Sequence, residues 1–274
     1  MGCQADLCRE AREDEQRRRL VTSLLIVEPC TGNRWLIDAT PDIREQVELA
    51  NRWAPQPEAT GRPPLFEGVF LSHAHFGHYT GLAYFGREVY GSDRMQVWAS
   101  DRMRSYLSSN GPWDLLVEAG HIELQQLAPG EPLSLGEDLT LEAFTVPHRG
   151  EYTDTFGFIV RGPERALIYI PDIDKWSVFE TNIEDLIAAC DFALLDGSFF
   201  ADGEIPGRAM SEIPHPFIEE SLTRFSVLDA VQRAKVFFTH LNHTNPASDP
   251  DSAAAQKVRA SGMHIAQEGQ VIEL

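Results

Sequence analysis

The chain has 274 residues, 43% hydrophobic and 24% charged, the balance of a soluble globular protein with enough apolar material for a core. Twenty-three Lys and Arg against 42 Asp and Glu leave a formal net charge of −19, which repels phosphate backbones and anionic lipid and argues against nucleic acid or a membrane as partner. No apolar run approaches the roughly 20 residues that span a bilayer, and four scattered cysteines are too few for a disulfide framework.

The stretch from Met1 to Asp6 lacks a basic segment followed by an apolar one, so no signal peptide is expected and the cytoplasm is the expected compartment. Arg17-Arg18-Arg19 follows Glu10, Glu13, Asp14 and Glu15 and reads as the solvated face of a short helix. A buried strand is expected over Leu20–Val27, and Thr31-Gly32-Asn33 turns the chain into a second strand at Trp35-Leu36-Ile37. Thr40 and Pro41 read as the cap and first position of a helix with the apolar face Ile43, Val47 and Ala50, ending near Trp53. Beyond its last turn, the stretch Asn51–Pro64 is rich in Pro and polar residues and reads as a loop.

Short strands are expected at Gly68–Leu71, Met95–Ala99, Leu139–Val146, Phe156–Val160, Ala166–Ile170, Phe192–Leu195 and Val236–Phe238. Helices fit Asp101–Ser108, Ile183–Ala188 and Ile218–Ala234. Early hairpins with helices between later strands suit two packed sheets flanked by helices, an α/β four-layer αββα sandwich formed by one domain over residues 1–274.

Three of the nine histidines fall within six positions, in Ser72-His73-Ala74-His75-Phe76-Gly77-His78. His73 and His75 point to the same side of an extended backbone, and His78 lies on the turn opening the next helix. Converging imidazoles at a strand end can hold zinc, iron or manganese at about 2.0–2.2 Å. Further donors close other short apolar strands: His148 after Val146-Pro147, Asp172 after Ile170-Pro171, and His240 after Phe238-Thr239. Taken singly, a His or Asp at a strand end is a turn residue or a cap; the repetition is what points to a metal.

These residues resemble the metallo-β-lactamase superfamily, whose signature is His-x-His-x-Asp-His at a strand-to-helix turn. The resemblance covers nearly the whole chain and narrows toward coenzyme PQQ synthesis protein B and its relatives, through Leu36-Ile37-Asp38-Ala39-Thr40-Pro41-Asp42, Leu195-Asp196-Gly197-Ser198-Phe199 and His240-Leu241-Asn242-His243-Thr244-Asn245-Pro246. It implies that His73, His75 and His148 hold one metal, that Asp172 bridges, and that His78 with His240 holds a second. Zinc is the expected ion, with iron and manganese as alternatives. Gly77 stands where the family has a ligand aspartate, so one firm and one weak site are expected, with His243 a candidate to compensate. The family of PQQ synthesis protein B has lost much of the histidine cluster present here, so this chain resembles a metal-competent cousin.

His215, in Ile213-Pro214-His215-Pro216, matches a segment whose histidine protonates the leaving group in phosphodiesterase and tRNA-processing branches; a surface-loop histidine between two prolines is the competing reading. Asp172 is the other expected catalytic residue. Asp196 with Gly197 reads as a turn that orients a ligand histidine, and Asp38 is a similar case. Cys3 and Cys8 match a cysteine-rich N-terminal knuckle of the subfamily, but two thiols cannot close a four-ligand zinc site. A frayed terminus with idle thiols is the favoured expectation. The relatives' glycine-rich first strand is expected to be absent, because Cys3 stands just behind Met1; a start placed late or an exposed sheet edge would each account for it. His121 and His264 lie in ordinary strand-like contexts. Phe76, Tyr79 and Tyr84 could line a pocket, although aromatics at this spacing usually pack a core.

The function implied is hydrolysis of a small ester, lactone or phosphodiester by a metal-activated water, with a small-molecule substrate. An iron-dependent oxygen-activating enzyme and a non-catalytic carrier linked to PQQ biosynthesis are the alternatives. Monomer and homodimer both stay open.

Overall fold

The computed structural model describes residues 2–53 and 63–274. Its contacts divide the chain into two compact units, one of Met1–Arg19, Thr140–Arg149 and Gly157–Leu274, the other of Leu20–Leu139 and Gly150–Phe156. No helix among the described residues is long and apolar enough to cross a membrane.

Asp6–Glu13 (α1) opens the first of these units. The second begins with the expected hairpin, Leu24–Val27 (β1) against Arg34–Ile37 (β2). β1 starts four residues later than the apolar run suggests. Upstream of it, the Val21 N–H donates to the Asp42 carboxylate, and the Ser23 hydroxyl donates to the carbonyls of Ile37 and Asp38. The next helix, Ile43–Trp53 (α2), also starts late. Thr40 does accept from the Asp42 N–H at 3.0 Å, but Pro41 and Asp42 form a turn, closed by Ile43 N–H to the Thr40 carbonyl, before helical bonding begins. Most of the loop expected over Asn51–Pro64 lies outside the described residues.

Gly68–Phe70 (β3), Phe76–Tyr79 (α3), Met95–Ala99 (β4), Asp101–Ser109 (α4), Trp113–Glu118 (α5), Ile122–Gln126 (β5) and Leu133–Ser134 (β6) follow. The sheet order is β1-β2-β3-β4-β5, parallel from β2 onward. Its core gathers Leu36, Ile43, Val69, Leu71, Val97, Met103 and Leu107, all essentially without exposure. Ser100 starts α4 by accepting from the Met103 N–H, the expected role of a capping serine.

The first unit resumes with Thr140–Thr145 (β7), Phe156–Arg161 (β8), Ala166–Ile170 (β9), Ile183–Ala189 (α6) and Phe192–Asp196 (β10). Then come Ile218–Phe225 (α7), Ala230–Arg233 (α8), Val236–Thr239 (β11), Ala253–Ala260 (α9) and His264–Ile265 (β12). The single helix expected over Ile218–Ala234 is therefore two. The Asp229 side chain caps a new start by accepting from the Gln232 N–H, which interrupts the run. Strands run in the order β12-β11-β10-β9-β8-β7. β12, β11, β10 and β9 are parallel, so their carboxyl ends share one edge. Ile168, Leu195, Ile218, Phe225, Val236 and Phe238 form the core of this unit, each worth about 1.5–3 kcal/mol of burial. A mixed α/β protein with two sheets and flanking helices is thus what the sequence encodes.

Candidate metal-binding and catalytic residues

In the β3 unit, the chain leaves the sheet at Leu71 and passes through Ser72 and His73 to His75, which stands at the N-cap of α3. The buried Asp38 organises this segment from a left-handed backbone position with φ 69°. One of its carboxylate oxygens accepts the Ser72 N–H at 2.8 Å; the other accepts the Ser72 hydroxyl at 2.8 Å and His78 Nδ1–H at 2.7 Å. Ser72 has spent its only hydroxyl proton on Asp38, so toward His73 Nδ1, 3.0 Å away, it can only accept. His73 and His78 are both therefore fixed as the Nδ1–H tautomer, and each Nε2 keeps its lone pair. This is the arrangement by which a carboxylate prepares a ligand histidine.

His73 Nε2 and His75 Nδ1 face each other at 2.8 Å, and the rings of His73 and His78 lie 4.2 Å apart between centroids. His75 Nε2 lies 3.4 Å from the Glu151 carboxylate, and Thr153 accepts from the Ala74 N–H at 3.0 Å. The three histidines of the signature are thus brought together. Gly77 leaves room beside them: an added Cβ would meet only a methyl of Val21, at 3.5 Å.

In the other unit, donors collect at the carboxyl ends of β9, β10 and β11. Asp172 follows β9, Asp196 ends β10 and His240 follows β11. The parallel register sets Asp196 beside Thr239, which brings these ends level. Asp196, fully buried, accepts from the N–H groups of Ser198 at 2.8 Å and Ile173 at 3.0 Å, and from His215 Nδ1–H at 2.7 Å. His215 is 8% exposed, so the surface-loop reading is overturned. Burial disfavours its charged form, yet the Asp196 carboxylate outweighs this and its pKa is pushed up to about 9. Asp196 orients His215 and is itself the last residue of a strand, not a turn.

His240, at φ 59°, contacts the Ser198 hydroxyl at 2.8 Å and an Asp172 oxygen at 3.3 Å through Nδ1. Gly197 lets the chain leaving β10 lie close against β11, because a Cβ there would lie 2.8 Å from Cβ of Phe238. Asn245, completely buried, donates to the Gly197 carbonyl at 2.7 Å and ties the His240 loop to the end of β10. His148 gives Nδ1–H to Asp174 at 3.0 Å, which again fixes Nε2 as the lone-pair nitrogen. Burial holds its pKa below the ordinary histidine value.

Two expectations are corrected. His243 does not join this group: its Nδ1 lies 3.2 Å from Sγ of Cys8, so it does not compensate for Gly77. By the same contact the thiols are not idle, and donor atoms of Cys3, Cys8 and His243 lie within 4.8 Å of one another. Sequence reasoning also missed Ser72, Ser198, Asp174 and Asn245, since serine, aspartate and asparagine at strand ends carry no signal by themselves. Phe76 is exposed, whereas Tyr79 is buried and Tyr84 packs on the β3-unit core. His121 bonds the Ser92 carbonyl and His264 lies in β12.

Imidazole and carboxylate donors with preset tautomers suit a divalent borderline cation such as zinc. Residues 33–241 match the model of a β-lactamase superfamily domain. Coenzyme PQQ synthesis protein B of Methylococcus capsulatus is 27% identical over 298 aligned positions, covering 100% of this chain and 94% of that protein. Among solved structures, zinc-bound PqqB from Methylobacterium extorquens superposes with a TM-score of 0.82 at 22% identity, covering 100% of this chain and 94% of that one. A diphosphatase of the PhnP family gives 0.64 at 20% identity, covering 100% and 91%.

Proposed function

Since the chain belongs to the β-lactamase superfamily, we propose that it is a metal-dependent hydrolase of a small ester, lactone or phosphodiester. The observation that carries this reading is the set of carboxylate-fixed histidines: Asp38 presets His73 and His78, Asp174 presets His148, and Asp196 presets His215. Such preparation sets which ring nitrogen is left to bind a cation or to carry a proton, as a ligand or a proton donor requires.

In this proposal His73, His75, His148 and Asp172 hold the principal ion. His78 and His240, together with Asp172, would hold a weaker second one, weaker because Gly77 brings no carboxylate. Zinc is the proposed metal, in keeping with the zinc-bound relative. When bound, the ion supplies a Lewis acid that makes hydrolytic water reactive near neutral pH and offsets negative charge developing on a substrate oxygen. Asp172 is buried 3.6 Å from His215 Nδ1, and its charge favours the protonated form of that ring. His215, gripped at Nδ1 by Asp196, presents Nε2 to deliver a proton to the leaving group.

The charge of −19 supports a small substrate over a nucleic acid. The four unbridged cysteines support a cytoplasmic location. A panel of chromogenic esters and phosphodiesters with zinc, manganese or iron tests the proposal. Turnover lost in His75→Ala supports it; turnover that survives His75→Ala, or none with any metal, overturns it. Similarity to PQQ synthesis proteins supports a second reading, an oxygen-dependent step on an iron-loaded protein, which requires turnover to stop under anaerobic conditions.

A further inference from the structure

The four unbridged cysteines have different surroundings. Cys190 is buried, and Cys30 is exposed on the turn between β1 and β2. Cys3 and Cys8 are half-buried, and their sulfurs lie within 4.8 Å of each other and of a ring nitrogen of His243. Cys3 stands just ahead of α1 and Cys8 lies within it, so the start of the helix folds one thiol back onto the other.

The two thiols are treated unequally. No side chain caps α1; the Ala5 N–H at its start donates instead to Cys3 Sγ at 3.5 Å. That N–H, with the Cys8 thiol beside it, favours the thiolate of Cys3 and lowers its pKa. Partial burial and the neighbouring Cys3 raise that of Cys8, whose S–H donates to the His243 carbonyl at 3.8 Å. His243 Nδ1 faces the same sulfur at 3.2 Å. The chain is anchored on both sides of this histidine: the Asn242 N–H donates to the Ser198 carbonyl at 2.9 Å, and the Thr244 hydroxyl donates to Glu204 at 2.6 Å. Downstream of α1, Arg19 donates to the Ser248 carbonyl at 2.9 Å and ties the cysteine-bearing segment to the same unit.

We propose that Cys3 and Cys8 are a hydroperoxide-reactive pair that closes to a disulfide, with Cys3 as the attacking sulfur, Cys8 as the resolving one and His243 as the base that takes the Cys8 proton. The Cys3 thiolate attacks one peroxide oxygen: an S–O bond forms and the O–O bond breaks. The other oxygen takes up the proton that Cys3 had released and leaves as water or an alcohol. The Cys8 sulfur then attacks the sulfenic sulfur of Cys3. The S–S bond forms, the S–O bond breaks, and hydroxide departs as water with the proton that His243 removed. Two thiols and one hydroperoxide thus give a disulfide, a water and a water or alcohol, with two electrons passing from sulfur to the peroxide. The pair acts independently of the proposed metal centre.

The test gives one equivalent of hydrogen peroxide to the protein freed of reductant, both as purified and after chelation. In both samples the four titratable thiols should fall to two, and the tryptic peptide Met1–Arg9, which carries both cysteines, should lose two hydrogens. Cys3 should be consumed at least tenfold faster than the exposed Cys30, because the thiolate is the nucleophile. Cys8→Ser should stop at a sulfenic acid on Cys3 that dimedone traps. Cys3→Ser should leave Cys8 unreacted over the same time, and Cys30→Ser should react as the parent does. His243→Gln, a change at an exposed side chain, should slow disulfide closure about tenfold and leave dimedone trapping in the Cys8→Ser background unchanged. Cys3 and Cys30 reacting at equal rates, or a sulfenic acid in the parent that never closes, overturns the proposal. Closure as fast in His243→Gln overturns the role given to that ring. Thiols that react only after chelation mark the cluster as a cation site and overturn the proposal as well.

Discussion

Asp38→Asn exchanges one buried carboxylate oxygen for an amide nitrogen and keeps the shape of the side chain. Asp38 is fully buried and accepts three hydrogen bonds. The Ser72 N–H cannot reverse its polarity, so the remaining oxygen must stay with it and the new NH2 must face the Ser72 hydroxyl and His78 Nδ1. The hydroxyl can rotate. His78 can adapt only by moving its proton from Nδ1 to Nε2, and a protonated Nε2 cannot bind a cation. The exchange thus removes one charge-assisted hydrogen bond, about 1.5–3 kcal/mol, and turns His78 into the wrong tautomer, about 10–100-fold in metal affinity. Urea denaturation of the chelated protein and zinc titration against a chromogenic chelator measure the two effects separately. The expected outcome is a lower urea midpoint with unchanged slope, loss of the weaker zinc equivalent and a weakened tight one, because the rotated Ser72 hydroxyl no longer fixes the His73 tautomer. An Asp38→Asn protein as stable as the parent, with both equivalents retained, would refute the tautomer argument.

Gly77→Asp should strengthen the second zinc equivalent at least tenfold by calorimetric titration, since the added Cβ finds only Val21 at ordinary contact distance; an unchanged second equivalent counts against the reading of Gly77 as a missing ligand. Gly81→Ala should cost about 3 kcal/mol in denaturant unfolding, because its Cβ would overlap the Thr40 carbonyl oxygen and lie 2.9 Å from the Ala39 carbonyl. The turn carrying His78 would move with it. Glu184 forms a two-pronged pair with Arg224 at 2.6 and 2.9 Å, which holds its carboxyl below the ordinary glutamate pKa. A depressed carboxylate pKa stabilises the fold above the unfolded value, about 4.3, and this is lost as pH falls through the lower folded value. Glu184→Gln should therefore cost about 1 kcal/mol at pH 7 and close to nothing well below pH 4; an equal cost at both pH values would contradict the pairing.

What the sequence revealed follows from where the information sits. His73, His75 and His78 are legible because one strand end and one turn carry them all, and the strands before Asp172 and His240 are short apolar runs with the donor directly behind. That Asp172 and His240 reach one edge of their sheet needs only parallel strands, which the interleaved helices imply. Ser72 and Asp174 are different: they act through a single hydrogen bond whose meaning depends on which imidazole nitrogen it reaches, and no spacing encodes that. The contact of Cys8 with His243 joins residues 235 positions apart, beyond any local pattern. The break at Asp229 illustrates a third limit, since a capping aspartate inside an amphipathic run competes with helix continuation on nearly equal terms.

The central claim is that His73 and His148, from distant stretches of chain, serve the same ion. Elemental analysis and zinc titration of wild type, His73→Ala, His148→Ala and the double variant test it directly. The account predicts that either single substitution abolishes the same tight equivalent and that the double variant loses no more than one does. A His148→Ala protein that keeps the tight equivalent lost in His73→Ala would contradict it.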